Sequence, residues 1–334
     1  MNIVRKLSRA WALAVGLALP LAAEAQEVTL RLAHVFPKQS SVGEAANRFA
    51  ELASERSNGR IEVAVFPAGQ LGGDEAIGRE LSRGTIQLAF INPNSMVGID
   101  PLFDFHILPF VAQSYEEADR IYYGEPNVIH RTLNETMERH RLKNLGYFEN
   151  DFRAISNSRR PVASVADLQG LKMRVVPSQS LKLLFEKAGV QVVTLPFPEI
   201  FTALQQGAVD GQENGVILID QARFFEAQKY VTLSNHSYVM SSIAASQRAL
   251  DDLSPEDQAL LTAIGDEVGK WQVQRNRENV ATALENIRAA GLEITELSPE
   301  AVAEFRALAE EVWAELTPVY GEERVAELRT LIDG

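Results

Sequence analysis

The chain has 334 residues, enough for two ordinary domains. Hydrophobic residues make up 46% and charged residues 23%, a globular balance that excludes extended disorder and a polytopic membrane protein. With 32 Lys+Arg against 45 Asp+Glu the net charge is −13, which argues against a nucleic-acid binder, and the absence of cysteine excludes disulfides, thiolate metal sites and cysteine nucleophiles.

Residues 1–25 read as a secretory leader. Arg5, Lys6 and Arg9 precede the apolar run Trp11–Ala23, and Ala23-Glu24-Ala25 places small residues where a signal peptidase reads. As a helix the run spans about 20 Å, too short for a hydrocarbon core of roughly 30 Å. Cleavage before Gln26 and release of a soluble, exported chain are expected.

Val28–Ala33, Ile61–Phe66 and Ile86–Ile91 carry strand patterns, the first two by strict alternation of apolar and polar residues. Between them, Ser41–Ser57 and Asp74–Arg83 read as helices, stopped by Asn58-Gly59 and Gly84. This is the rhythm of a parallel α/β sheet, in which ligands sit at the carboxyl ends of strands. The loops there hold His34, Gly69–Asp74 and Asn92–Ser95 and predict one wall of a site.

The alternation restarts further on. Leu145–Phe148 and Arg153–Ser156 are two short strand candidates, followed by a helical turn at Val165–Leu168 and strands at Lys172–Val176 and Val190–Thr194. Ser180–Lys187 and Glu199–Gln206 read as helices, and Asp210–Glu213 runs into another strand. A second α/β unit follows, with the chain returning to the first near Tyr238–Ser246. Two lobes joined by more than one crossing make a hinged clamshell.

The C-terminal part reads as all helix. Ser254-Pro255-Glu256-Asp257 is a helix start. The stripe Leu261, Ile264, Val268, Trp271 resumes at Val280, Leu284 and Ile287 after a polar stretch from Gln272 to Asn279. One helix over 255–289 would be about 52 Å long, a strut between lobes; two helices with a break are the alternative. Ala301–Leu316 and Glu322–Ile332 are two further amphipathic helices.

No phosphate loop, HExxH or nucleophile elbow is present, and His34, His106, His130, His140 and His236 show no metal-ligand spacing. No catalytic residue, metal or cofactor is expected. Arg153 and Arg174 lie in strand-like segments of the same predicted lobe. A guanidinium in an interior strand needs a partner, either an internal ion pair or a ligand carboxylate that its planar fork can grip.

Three segments, DLQGLKMRVVPS (167–178), LPFPEIFTALQQGAVDGQENG (195–215) and QKYVTLSNHSY (228–238), resemble the solute-binding subunit of tripartite ATP-independent periplasmic (TRAP) transporters, the DctP-type family. RLAHVFP (31–37), GRIEVAVFPAGQLGGDE (59–75) and ELSRGTIQLAF (80–90) fit the same family. The resemblance implies an α/β, two-lobed periplasmic-binding-protein-like clamshell with a long lobe-spanning C-terminal helix. Lobe I would comprise 26–150 plus about 240–275, and lobe II 151–239 plus about 276–334. It implies a periplasmic monomer that captures an organic acid, a sugar acid or C4-dicarboxylate, and delivers it to TRAP permease membrane subunits, with no nucleic-acid partner and no enzymatic activity. By the same resemblance Arg174 pairs with the ligand carboxylate, Arg153 is the second arginine, Asn214 contacts the carboxylate region and Phe197 is an aromatic wall. Asp74 and Asn92 match positions that touch polar ligand groups in sialic-acid-binding members, where the second is acidic. Gly215 stands where proline is common. Asn150 and His34 complete the expected polar lining. A ligand-binding sensor subunit and, more remotely, a secreted α/β hydrolase are the alternatives.

Overall fold

In a computed structural model the described residues are 28–334, so the leader and its cleavage site lie outside them. The first half runs β1 (Val28–His34), α1 (Ser41–Arg56), β2 (Ile61–Phe66), α2 (Asp74–Arg83) and β3 (Leu88–Ile91). After 3₁₀ turns at Pro93–Met96 and Pro101–Ile107 come α3 (Tyr115–Tyr122), α4 (Val128–Arg139) and β4 (Leu142–Asn157). The second half runs β5 (Lys172–Val175), α5 (Gln179–Lys187), β6 (Gln191–Thr194), α6 (Ile200–Gln205), β7 (Gly211–Gly215) and α7 (Val216–Gln221). It continues through β8 (Tyr230–Leu233), β9 (Tyr238–Ser246) and α8 (Gln247–Asp251). The tail holds α9 (Pro255–Glu278), α10 (Val280–Ala289), β10 (Glu293–Glu296), α11 (Pro299–Tyr320) and α12 (Glu322–Asp333).

Caps foreseeable from sequence fix several of these boundaries. Ser40 accepts from the Gly43 amide at the start of α1, and Ser254 accepts from the Asp257 amide ahead of Pro255 in α9. The strands form one sheet in the order β2-β1-β3-β9-β4-β7-β5-β6, with β8 on β4 and β10 on β8. Its first lobe centres on parallel β2, β1 and β3; its second on parallel β6, β5 and β7. The core of the second lobe includes a separate apolar cluster around Ile200, Ile219 and Ile287.

Two expectations are corrected. The separate strands at Leu145–Phe148 and Arg153–Ser156 are one continuous strand, β4, which pairs with β9 over its first part and with β7 and β8 over its last. The polar Glu149-Asn150-Asp151 between them breaks the apolar pattern, but it is a kink in the strand. Asp151 takes φ +68, its carboxylate accepts from the Phe152 amide, and the pairing register shifts between Glu149 and Phe152. The tail is also not all helix, because Glu293–Glu296 adds to β8 in parallel.

The stretch 255–289 is helical apart from a joint at Asn279, whose amide bonds to the Asn276 carbonyl three residues back. α9 lies on α1 and β4, and α10 on α7, so the pair spans both lobes. Its backbone reaches β4 because Gly265 and Gly269 carry no side chain: a Cβ at Gly269 would stand 2.2 Å from the Tyr147 carbonyl oxygen. The polar middle of α9 is buried against the β4 kink. Gln272 exchanges hydrogen bonds with the backbone of Glu149 (2.8 and 3.0 Å), while Asn276 and Arg277 donate to its carboxylate (3.1 and 2.8 Å). The last two helices tie the halves together. α11 packs on α5 and on the Pro101–Ile107 turn, and α12 on α3 and α4, although the sequence division groups all of 276–334 with the second lobe.

Candidate functional site

The cleft between the lobes is lined from both sides. The first lobe contributes Phe36 after β1, Asp74 at the start of α2, and Asn92, Asn94 and Ser95 after β3. The second contributes Arg174 from β5, Phe197 from the 3₁₀ turn before α6, and Asn214 from β7. The crossing strand β4 supplies Asn150 and Arg153. Seven of the eight expected site residues therefore face one cleft. His34 does not: it lies against Phe36, fully buried, its ring nitrogens unpartnered, and burial pulls its pKa down to about 4.

The two arginines have opposite surroundings. Antiparallel pairing of β4 with β7 brings Arg153 beside Glu213. Arg153 donates Nε to the Glu213 carboxylate, and its Nη2 to the Glu213 carbonyl (2.6 Å) and to Asn214 Oδ1 (3.2 Å). Glu213 also accepts from the Val176 amide at 2.8 Å, with the His236 ring 3.5 Å away. Burial pushes the Glu213 carboxyl up, but Arg153 and His236 outweigh it and hold the pKa at about 2. Arg153 is thus neutralised within the fold.

Arg174 is 1% exposed. Its Nε donates to the Leu195 carbonyl at 2.9 Å, its Nη1 is buried with no partner, and it forms no ion pair among the described residues. Burial lowers its pKa to about 9, with the field of Glu213 opposing, so it stays cationic at neutral pH. A buried guanidinium with one face unused is costly to the empty fold and ready for an anion.

Across the cleft a polar chain forms the facing wall. Asp74 accepts from the Asn92 side chain at 3.0 Å and its amide at 3.3 Å. Asn92 Oδ1 in turn accepts from the Asn150 amide and from Ser241 at 2.8 Å. Burial raises the Asp74 pKa to about 6, against the hydrogen bonds from Asn92 that lower it. Phe197 closes one side, between Phe36 and Phe224, with ring centroids 6.0 and 5.9 Å away.

The lobes are in contact at this mouth. Gly69 and Gly73 lie so close to Pro198 and Pro196 that a Cβ would meet them at 2.5 and 3.0 Å. The inner cavity measures about 10 Å³, and a vestibule of about 290 Å³ outside it is lined by Asp74, Glu75, Arg79, Pro177, Pro196 and Phe197, among others. Within the Asn92–Ser95 loop, expected to wall the site, sequence reasoning did not single out Asn94 and Ser95, and it missed Phe36, Glu213 and Ser241. Of these only Glu213 carried a signal, as an acid inside DGQENG with no basic neighbour. Among the described residues no cluster of His, Asp or Glu is arranged to hold a metal, and no helix is long and apolar enough to cross a membrane.

The chain is 30% identical over 277 residues to the 2,3-diketo-L-gulonate-binding periplasmic protein of Escherichia coli K12, covering 83% of this chain and 84% of that one. It is 30% identical over 315 residues to the C4-dicarboxylate-binding periplasmic protein DctP of Rhodobacter capsulatus, covering 93% and 91%. The fold superposes on the sugar acid binding protein of Advenella mimigardefordensis in complex with galactonate, with a TM-score of 0.88, 29% identity and coverage of 93% and 99%. Residues 32–318 match the model for bacterial extracellular solute-binding proteins, family 7. With most of its length matched, the chain belongs to that family, the DctP-type TRAP solute-binding proteins.

Proposed function

We propose that this protein captures an organic acid outside the cytoplasm by seating its carboxylate on Arg174, and delivers it to a TRAP-type membrane permease. One observation carries the reading: of two buried arginines in one cleft, Arg153 is satisfied by Glu213 and Asn214, while Arg174 keeps an unpartnered Nη1. Arg153 then acts by holding Asn214 in place, Phe197 covers the ligand's side, and Asp74, Asn92 and Asn150 meet its far end. The relatives' ligands, a diketogulonate, C4-dicarboxylates and galactonate, are all organic acids and support this class.

Titration calorimetry with a panel of organic acids, beside a ligand-free melt, tests the reading. Arg174→Ala leaves the bound carboxylate without its partner, a loss of about 2–5 kcal/mol, or about 30- to several-thousand-fold in affinity. Arg174→Lys retains charge without the fork and weakens binding clearly. Wild-type affinity in Arg174→Ala, with a destabilised empty protein, would make the residue structural and end the proposal.

A further inference from the structure

We infer that the cleft selects a monocarboxylate whose remaining length is hydroxylated, in preference to a dicarboxylate, and that Asn94 is a residue that reads those hydroxyls. The inference rests on the carboxylate contact proposed above and narrows it to one ligand class.

The charges facing the cleft limit it to one carboxylate. Asp74, Arg153 and Arg174 are its charged lining residues. Among the described residues, Arg153 is matched by Glu213 inside the fold, which leaves one cation, Arg174, for one ligand carboxylate. The facing charge is Asp74, an acceptor, and Asn92 donates to it. A second carboxylate delivered there meets like charge in a buried setting; a hydroxyl meets an acceptor for its proton. In the vestibule Arg79 is the cation, and it is paired with Glu75 at 2.7 Å.

Asn94 adds an independent observation. It lines the cleft from the 3₁₀ turn after β3 and is 1% exposed, and both its Oδ1 and Nδ2 are buried with no partner among the described residues. A fully buried amide unsatisfied at both ends is rare in folded proteins and destabilises the empty fold. An acceptor beside a two-proton donor complements a hydroxyl, which both donates and accepts, or two adjacent hydroxyls. A site built to hydrogen-bond a hydroxyl rejects an analogue lacking it strongly, because its own polar atoms are then left unpaired.

Calorimetry at pH 8, where Asp74 is ionised, compares gluconate, galactonate and galacturonate with succinate, malate and fumarate. The tightest hydroxylated monocarboxylate is expected to bind about 100-fold or more tighter than the tightest C4-dicarboxylate. Asp74→Asn removes the repelling charge and should narrow that gap about tenfold or more. Asn94→Leu keeps the volume while removing both unpaired atoms. The empty protein should melt at the same or a higher temperature, while affinity for the hydroxylated acid falls about tenfold or more. A merely structural Asn94 would give the reverse: a lower melting temperature with unchanged affinity. Dicarboxylate binding equal to or tighter than that of the hydroxylated acids, with Arg174→Ala abolishing both, overturns this inference and leaves the carboxylate contact standing. Binding of neither class, or binding indifferent to Arg174→Ala, overturns both. Unchanged affinity in Asn94→Leu removes Asn94 from the assignment.

Discussion

Arg153 and Arg174 share a cleft but answer to different partners, so equivalent substitutions separate them. Removing one member of a buried ion pair strands the other charge, at a cost of about 3–5 kcal/mol. Arg153→Ala and Glu213→Gln should therefore both lower the melting temperature of the ligand-free protein, whereas Arg174→Ala, which breaks no ion pair, should not lower it. An Arg153→Ala protein as stable as wild type would refute the structural role. Arg174's place in the cleft was foreseen through the resemblance of DLQGLKMRVVPS to the family's pattern. The partner of Arg153 was not, because Glu213 lies 60 positions downstream and only the β4–β7 register, which sets Ile155 opposite Glu213, brings them together. Asn94 lay in a loop expected to wall the site, but nothing in spacing reveals that both its amide ends are buried.

At the scale of elements, β4 and the middle of α9 form one buried polar joint. Burial, then the neighbouring Glu149 carboxylate, pushes Asp151 up to about 7 from an ordinary 3.8, while Tyr115 donates to it at 2.7 Å and Arg277 opposes the shift from α9. A carboxyl raised in the folded state stabilises it below the unfolded pKa, and that contribution is lost as pH rises towards 7. The slope for one such group approaches about 1.4 kcal/mol per pH unit. Asp74 acts in the same direction up to about 6. Asn at 151 keeps an acceptor for Tyr115 and tolerates the left-handed backbone. Asp151→Asn should therefore flatten the decline of melting temperature between pH 5 and 8; an unchanged slope would count against the shift. The α/β rhythm was readable from alternation and glycine stops. The kinked strand was not, since three consecutive polar residues look like a loop until α9 covers them. β10 was missed because its single apolar residue, Ile294, gains meaning only beside β8.

For the whole molecule, the contacts of Gly69 and Gly73 with Pro198 and Pro196 describe closed lobes around an inner cavity of about 10 Å³. A space that size barely admits one water, so an organic acid enters only after the lobes part and is then bound by both walls. Ligand should shift the population towards the closed form and reduce the radius of gyration in small-angle scattering. Gly73 has φ −77, so valine is sterically allowed by the backbone, yet its side chain would wedge against Pro196. Gly73→Val should retain stability, lose affinity and keep a larger radius at saturating ligand. A radius unchanged by ligand in the wild-type protein would exclude closure on binding.

The position of β9 also sets a timetable for assembly. Tyr238–Ser246 is buried along its whole length and stands between β3 and β4, which it joins by hydrogen bonds on both sides. A chain emerging from its amino end makes β1, β2 and β3 early, yet the gap beside β3 stays open until some 150 further residues exist. Such long-range pairing folds late and leaves unpaired strand edges in the interim. A chain ending at Ser237 should lack a cooperative melt, although it retains most of the cleft residues. Observation of one would mean that the amino-terminal lobe can close without its central strand.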